Sequence, residues 1–171
     1  NYLRKHAPEH LKYTIFRPCH IYGVPSELGC FPAHCRDAEL ISKMLKGETL
    51  QLVDNGRLLQ QPIDCDDLAK CMISAVGNGK SYGKTFNMAG PDIVESREYY
   101  AIIARALGVE LETEDIDFDK YLAENPAHRP FLCHRVYTLN DLKDANLYVP
   151  DTPLAEGLKK HTLLLRQTKG M

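Results

Sequence analysis

Several common sequence features are missing from this chain of 171 residues. No apolar run approaches the roughly 20 residues of a membrane span, and the first residues fit neither a signal peptide nor a transit peptide. Lysine and arginine (21) do not outnumber aspartate and glutamate (23), which gives a net charge of -2. Such a balance argues against nucleic acids or anionic membranes as partners. We therefore expect a cytoplasmic protein with neither kind of partner.

The six cysteines lack the paired C-x-x-C spacing of zinc sites, and a chain of this length does not need disulfides. Free thiols are therefore expected. Cys30, His34 and Cys35 are the best metal candidates, but closed zinc sites use tighter ligand pairs. Cys133 and His134 are adjacent in sequence, and such neighbours seldom meet as nucleophile and base. We predict neither a metal site nor a cysteine nucleophile.

Glycine-rich phosphate loops are also absent, because neither G-x-G-x-x-G nor G-x-x-x-x-G-K occurs. The segment VGNGKSYG (residues 76–83) follows a predicted helix and does not open one, so it is interpreted as a simple turn. Any nucleotide chemistry must take its phosphate cradle from another segment.

The stretch YTIFRPCHIYG is the most informative part of the chain. Residues 13–16 are β-branched or aromatic without alternating charges, which is typical of a strand buried on both faces of a parallel sheet. Proline cannot donate to a sheet ladder, so Pro18 should bring the chain out at the carboxyl edge, where open α/β sheets bind ligands. This places Pro18, Cys19, His20 and Tyr22 at a candidate site. An ordinary strand-to-loop exit is the alternative.

The remaining pattern alternates helices and strands, with no repeat and no linker. Asp64 or Asp66 is expected to cap the helix that follows, although the paired acids Asp66 and Asp67 could instead bind a metal or shuttle protons. A turn at residues 54–56 predicts a hairpin with residues 58–59. Strands are expected at residues 50–53, 85–88 and 109–111, and helices at residues 2–7, 36–46, 68–76, 96–107, 118–123, 139–145 and 153–165.

Taken in order, these motifs resemble the NAD-dependent epimerase/dehydratase family, the extended short-chain dehydrogenases/reductases. The motifs are RPCHIYG, a loop with Phe-Pro, DNGRLLQQPIDCDDLAKCM, FNMAG and a helix ending at Leu107-Gly108. The resemblance covers nearly the whole chain. It implies an α/β fold, with a partial Rossmann-like edge plus a small mixed α/β substrate-binding domain.

The resemblance assigns residues 1–171 to the C-terminal substrate-binding portion of such a protein. The N-terminal dinucleotide-binding half, with the glycine-rich NAD loop and the Tyr-x-x-x-Lys pair, is absent. The chain begins with Asn in what resembles the tail of a helix, so we expect a fragment or a processed chain. Alone, it is expected to contain no catalytic residue.

NAD or NADP is the implied cofactor, bound mainly by the missing half. Pro18 and Cys19 are expected at the nicotinamide end, and His20 stands where relatives place an Asn that faces the substrate. The other substrate-binding positions implied by the resemblance are Gln51, Val53, Gln60 and Arg129, with Arg135 as a rival to Arg129.

Two departures from the family pattern concern the phosphate anchors. Gln60-Gln61 replaces an Arg-Asp pair, so an always-charged fork becomes an uncharged amide. Gly29 replaces an Asn in the loop before Phe31-Pro32. Both changes favour a smaller or uncharged substrate over a nucleoside diphosphate sugar, unless the anchors moved to Arg57 or Arg129.

Three hypotheses follow. The first is the substrate-binding part of an NAD(P)-dependent epimerase, dehydratase or reductase that acts on a sugar or related hydroxyl/carbonyl compound, including a nucleotide sugar. Its partners would be the small-molecule substrate, the N-terminal Rossmann half and, through helices outside this chain, a second copy in a homodimer. The second hypothesis is a non-catalytic binding or regulatory module with the same fold. RNA binding is a third, which the acidic balance disfavours.

Overall fold

The computed structural model describes residues 2–8 and 10–171, and it confirms a mixed α/β fold. Within the described residues, none of the helices is long and apolar enough to cross a membrane. The α-helices are α1 (Tyr2–His6), α2 (Leu40–Leu45), α3 (Cys65–Ser74), α4 (Ser96–Leu107), α5 (Phe118–Glu124), α6 (Asn140–Asp144) and α7 (Leu154–Thr168). Shorter 3-10 segments are Asp54–Gly56, Gly79–Ser81 and Pro126–Phe131.

The strands are short and are hydrogen-bonded in pairs. Parallel pairs join β1 (Ile15–Pro18) to β6 (Thr85–Met88), β2 (Ile21–Tyr22) to β5 (Ile63–Asp64), and β3 (Leu50–Val53) to β8 (Thr113–Ile116). The pair of β4 (Leu59–Gln60) and β7 (Val94–Glu95) is antiparallel. Parallel strands need crossover connections, and helices α2, α3 and α4 supply them.

The predicted hairpin after β3 is wrong. The turn exists, with Asn55 in the left-handed region at φ 52°, but β3 pairs with β8 and β4 pairs with β7. The turn therefore moves the chain from one strand pair to another. The strand expected at residues 109–111 is also displaced, since β8 begins at Thr113.

Some helix boundaries follow local capping signals in the sequence, and others do not. The Asp64 carboxylate accepts a hydrogen bond from the Asp66 backbone at 2.8 Å, as expected of the α3 cap. Gly108 ends α4 in the left-handed conformation, at φ 72°. Ser96 does not cap α4 with its side chain, because its hydroxyl donates to the Gly56 carbonyl at 3.0 Å.

Among the described residues, the core has three clusters of buried apolar side chains. The largest joins α2, α4 and α7 through residues such as Met44, Tyr100 and Leu158. The second lies between α3 and β6 and includes Cys71 and Met88, and the third packs Val53 against Tyr121. These clusters fix the loops that carry the candidate site.

Candidate functional site

Strand β1 brings Pro18 and Cys19 to the end of a sheet with one open side. The backbone of Ile15 donates to Lys84 at 3.0 Å and that of Cys19 donates to Met88 at 2.9 Å, so these amides face β6. Among the described residues, no strand pairs with the opposite edge of β1. Pro18 is exposed there, and the expected burial of this strand on both faces is not observed.

The open side continues into an uncovered apolar surface on α3. Cys71 and Ala75 of the predicted apolar stripe are buried, but Met72 and Val76 are 49% and 82% exposed. Together with Phe16 of β1, they line a surface groove of about 310 Å³. A helix face with this pattern normally packs against another element.

Cys19 is half-buried and is held by the loop that follows β4. Its thiol lies 2.7 Å from the Gln61 carbonyl and donates to it. Burial raises the pKa of this thiol to about 12, so it stays protonated and is a poor nucleophile. What Cys19 can offer a ligand is therefore its backbone and a neutral surface.

His20 is half-buried, and its buried Nε2 atom has no hydrogen-bond partner among the described residues. Its ring contacts Tyr99 edge to face, with centroids 5.7 Å apart. Burial, together with the charges of Arg36 and Arg135, lowers the pKa of His20 to about 3. The imidazole is therefore neutral at physiological pH, with a nitrogen able to bind a hydroxyl or carbonyl group.

Gln60 of β4 and Gln61 of the following loop differ in their hydrogen bonding. Both polar atoms of the Gln61 amide have a partner, since the amide donates to the Gly90 carbonyl at 2.9 Å and accepts from the Tyr137 backbone at 2.7 Å. Gln60 is 2% exposed, and its Nε2 atom has no partner among the described residues. A buried amide donor without a partner is costly unless a ligand satisfies it.

The structure distinguishes between the two late arginines. Arg129 is exposed, and its charge is not among those that shift the pKa of His20. Arg135 lies over the Phe131 ring, with its guanidinium carbon 4.9 Å from the centroid, and one buried Nη atom has no partner in the described part of the chain. Its charge lowers the pKa of Cys19 and of His20.

Gln51 and Val53 lie in different environments, although both belong to β3. Val53 is buried in the third cluster, whereas Gln51 is exposed and its amide lies 3.5 Å from Glu114. Gln51 opens onto a surface cavity of about 440 Å³. The charged residues lining this cavity are Glu114, Asp115, Asp117, Lys120 and Glu124.

Tyrosines from α4 and α5 hold the loop between β2 and α2. The Tyr100 hydroxyl accepts from the Cys30 backbone at 3.0 Å and donates to the Cys30 carbonyl at 3.0 Å. The Tyr121 hydroxyl donates to the Pro32 carbonyl at 2.8 Å. The loop is therefore positioned before any ligand binds.

An aromatic stack joins this loop to the segment that precedes Arg135. The rings of Phe31 and Phe131 are nearly parallel, with centroids 3.9 Å apart and an interplanar angle of 6°. Arg135 packs on the same Phe131 ring. Sequence analysis missed this stack because its two rings are 100 positions apart in the chain.

Arg36 is another residue that the sequence did not reveal. Its guanidinium donates to the Ile21 carbonyl at 2.7 Å, to the Ser26 hydroxyl at 2.6 Å and to the Glu27 carbonyl at 3.2 Å. It has φ 47°, so a turn replaces the first part of the predicted helix. These contacts fix the loop beside His20 and leave its charge without a carboxylate partner among the described residues.

The metal candidates Cys30, His34 and Cys35 do not gather in the described part of the chain. The one group of ligand atoms found there belongs to Asp64, Cys65 and Asp66, within 4.8 Å of one another. The cap of α3 accounts for this group.

The adjacent pair Cys133 and His134 does not form a nucleophile and base. His134 Nδ1 accepts from the Leu59 backbone at 3.1 Å, while the Cys133 thiol lies 3.6 Å from the Pro130 carbonyl. Each side chain is engaged with a different stretch of backbone.

Known proteins resemble this chain in sequence and in fold. The model of the family described as the NAD dependent epimerase/dehydratase family matches residues 1–89, more than half of the chain. No curated protein matches the chain significantly.

Three solved structures illustrate the likeness in fold. UDP-glucose 4-epimerase from Thermotoga maritima, with UDP-glucose, has a TM-score of 0.73 at 20% identity over 98% of this chain and 50% of that chain. UDP-N-acetylglucosamine 4-epimerase from Methanobrevibacter ruminantium, with UDP-N-acetylmuramic acid, has 0.75 at 18% identity over 98% and 50%. The dTDP-glucose 4,6-dehydratase DesIV from Streptomyces venezuelae, with NAD bound, has 0.71 at 19% identity over 99% and 47%.

At these identities the likeness shows the fold. The chain spans about half the length of each of these structures.

Proposed function

Because the chain belongs to the NAD dependent epimerase/dehydratase family, we propose that it is the substrate-binding part of an NAD(P)-dependent enzyme. The enzyme acts as an epimerase, dehydratase or reductase on a sugar or a related hydroxyl/carbonyl compound. The N-terminal Rossmann half is supplied by another segment of the same protein. Residues 1–171 form the C-terminal portion of that protein.

One observation carries this proposal most directly, the open edge of β1 beside the site. The strand ends at Pro18, next to the half-buried and neutral His20, and its second edge has no strand partner among the described residues. The exposed apolar side chains of Met72 and Val76 lie on the same side. A Rossmann half that added a parallel strand and a helix here would complete both the sheet and the pocket.

The residues of the chain fit the nicotinamide end of a dinucleotide in this arrangement. Pro18 is exposed at the carboxyl end of a parallel strand, and Cys19 adds a neutral thiol that does not ionise. When bound, NAD(P) supplies hydride transfer. The phosphate cradle is expected in the Rossmann half, since this chain has no glycine-rich loop of that kind.

His20 and Gln60 are the groups in this chain that would orient the substrate. Both carry a buried nitrogen without a partner in the described residues, and neither is charged at neutral pH. They would hold hydroxyl or carbonyl oxygens by neutral hydrogen bonds and leave the proton transfer to the other half. Arg135, and not Arg129, would hold an anionic group of the substrate.

The test is nicotinamide nucleotide binding by the full-length protein. Titration with NADH and NADPH should change the nucleotide fluorescence and saturate, with one of the two preferred. Sugars that are oxidised should produce the absorbance of reduced nicotinamide when NAD or NADP is present. A full-length protein that binds neither nucleotide would contradict the proposal.

Gln60 supports a second candidate, a non-catalytic binding or regulatory module with the same fold. Loss of a charged, phosphate-binding residue is expected in a protein that keeps the fold but no longer binds the substrate. Gly29 does not support this reading, because a Cβ at that position would lie 1.9 Å from the His34 carbonyl oxygen. Turnover by the full-length protein with any hydroxyl or carbonyl compound would exclude the module.

A further inference from the structure

The positive charges available to a ligand beside His20 are few. Arg57 lies at the surface, 3.8 Å from Asp54, and Arg129 is exposed. The Arg36 guanidinium already donates hydrogen bonds to the loop between β2 and α2, as described above. Arg135 is the other arginine whose charge acts on His20, and it has a buried nitrogen that no described residue satisfies. The site therefore offers one guanidinium fork to an anionic group.

The other donors without a partner at this site carry no charge. The Gln60 amide is buried and neutral, and the His20 imidazole is kept neutral by burial and by the nearby arginines. Buried polar atoms of this kind reject ligands that lack matching acceptors. Oxygen atoms of hydroxyl or carbonyl groups would satisfy both nitrogens.

The cavity next to Gln51 has the opposite charge, because mainly carboxylates line it. Four carboxylates and one lysine line it, so its rim carries a net negative charge. The Asp115 carboxylate accepts a hydrogen bond from the Asn55 backbone, and the Asp117 carboxylate caps α5. A ligand that placed a diphosphate at this rim would meet electrostatic repulsion there.

We propose that the site takes a small hydroxylated ligand with one anionic group, such as a sugar acid, and rejects nucleoside diphosphates. The inference rests on the proposed function and names the substrate class of the same site. Arg135 binds the anionic group as a bidentate fork, backed by the Phe131 ring. Gln60 and His20 bind hydroxyl or carbonyl oxygens, and the Phe31 ring stacks on the Phe131 ring that supports the arginine.

Calorimetric titration of the full-length protein with three probes tests this inference. The probes are glucuronate, glucose and UDP. Glucuronate should bind about tenfold or more tightly than glucose, because a hydrogen-bonded charge adds that much affinity. UDP should bind more weakly than glucuronate. UDP that binds more tightly than glucuronate, or no detectable binding of glucuronate, would overturn the inference.

Two substitutions make the test specific. Arg135→Gln should remove the preference of the protein for glucuronate over glucose, whereas the matched control Arg129→Gln should preserve it. Gln60→Arg adds a second charged fork and should increase the affinity for UDP. Equal effects of the two arginine substitutions would also overturn the inference.

The failure of this inference is distinguishable from failure of the proposed function. A protein that binds NADH or NADPH but prefers UDP to glucuronate keeps the proposed function and loses the substrate class. A protein that binds no nicotinamide nucleotide loses the proposed function, and the glucuronate titration still decides the charge preference of the site.

Discussion

At the scale of single residues, the site depends on side chains that are buried but not satisfied. His20 and Gln60 each present a nitrogen that no described residue binds, while the neighbouring Gln61 is fully hydrogen-bonded. The positions of His20 and Gln60 could be predicted from their motifs in the sequence. Their protonation and bonding could not, because these depend on Arg36, Tyr99 and Arg135, which lie far away in the chain.

The buried His20 should make stability depend on pH. The pKa of His20 falls from its ordinary value of 6.5 to about 3 on folding, so between these values the unfolded chain binds a proton that the folded chain does not. Stability is therefore lost as the pH falls from about 6.5 toward 3, by up to about 1.4 kcal/mol per pH unit for this one group.

Urea unfolding of the protein at several pH values would measure this dependence. The His20→Gln substitution should make the free energy of unfolding depend less steeply on pH, because it removes the one proton that His20 binds only in the unfolded chain. His34 and His161, whose pKa values burial also lowers, maintain the remaining slope. His10→Gln, at an exposed position, is the matched control. An unchanged slope in His20→Gln would show that this imidazole is not held neutral by the fold.

At the scale of elements, local signals and distant partners determine different features. The start of α3 at its Asp64 cap and the end of α4 at Gly108 were predictable, because both depend on residues within one turn. The hairpin after β3 was predicted wrongly, since the partner of β3 is β8, about 60 residues away along the chain. The turn-forming residues 54–56 predicted where the chain turns, but they did not predict which strand pairs with β3.

The loop between β2 and α2 is fixed by tyrosines on other elements, and removal of one hydroxyl should weaken it. Tyr100→Phe leaves the buried backbone N–H and carbonyl of Cys30 without this partner. We expect the free energy of unfolding to fall by about 1–3 kcal/mol. Tyr13→Phe is the control, because its hydroxyl makes no hydrogen bond to a described residue. Chemical denaturation compares the two, and equal losses would contradict this role for Tyr100.

At the scale of the whole molecule, the chain presents an unfinished sheet and an apolar helix face together. The periodicity of α3 predicted one continuous buried stripe, of which the structure buries only part. Under the proposed function, another segment of the protein covers the part of the stripe that is exposed in this chain. The family match and the half-length coverage of the solved structures agree with this interpretation.

A charge on the exposed apolar face of α3 should destabilise the protein only if another segment covers that face. Val76→Asp in the full-length protein should lower the free energy of unfolding by about 3 kcal/mol, the cost of burying an unpaired charge. Leu163→Asp changes an exposed leucine on α7 and should cost about 0.5 kcal/mol or less. Thermal or urea unfolding provides the comparison. A similar small effect for both would mean that the α3 face is free in the complete protein.

Amide hydrogen exchange at Phe16 in the full-length protein tests the central claim most directly. In a parallel strand, successive amides face opposite edges, and since those of Ile15 and Cys19 point to β6, that of Phe16 points to the open edge. If another segment adds a strand there, Phe16 should exchange as slowly as Cys19. Rapid exchange at Phe16 beside a protected Cys19 would show that the edge stays open and would contradict the account.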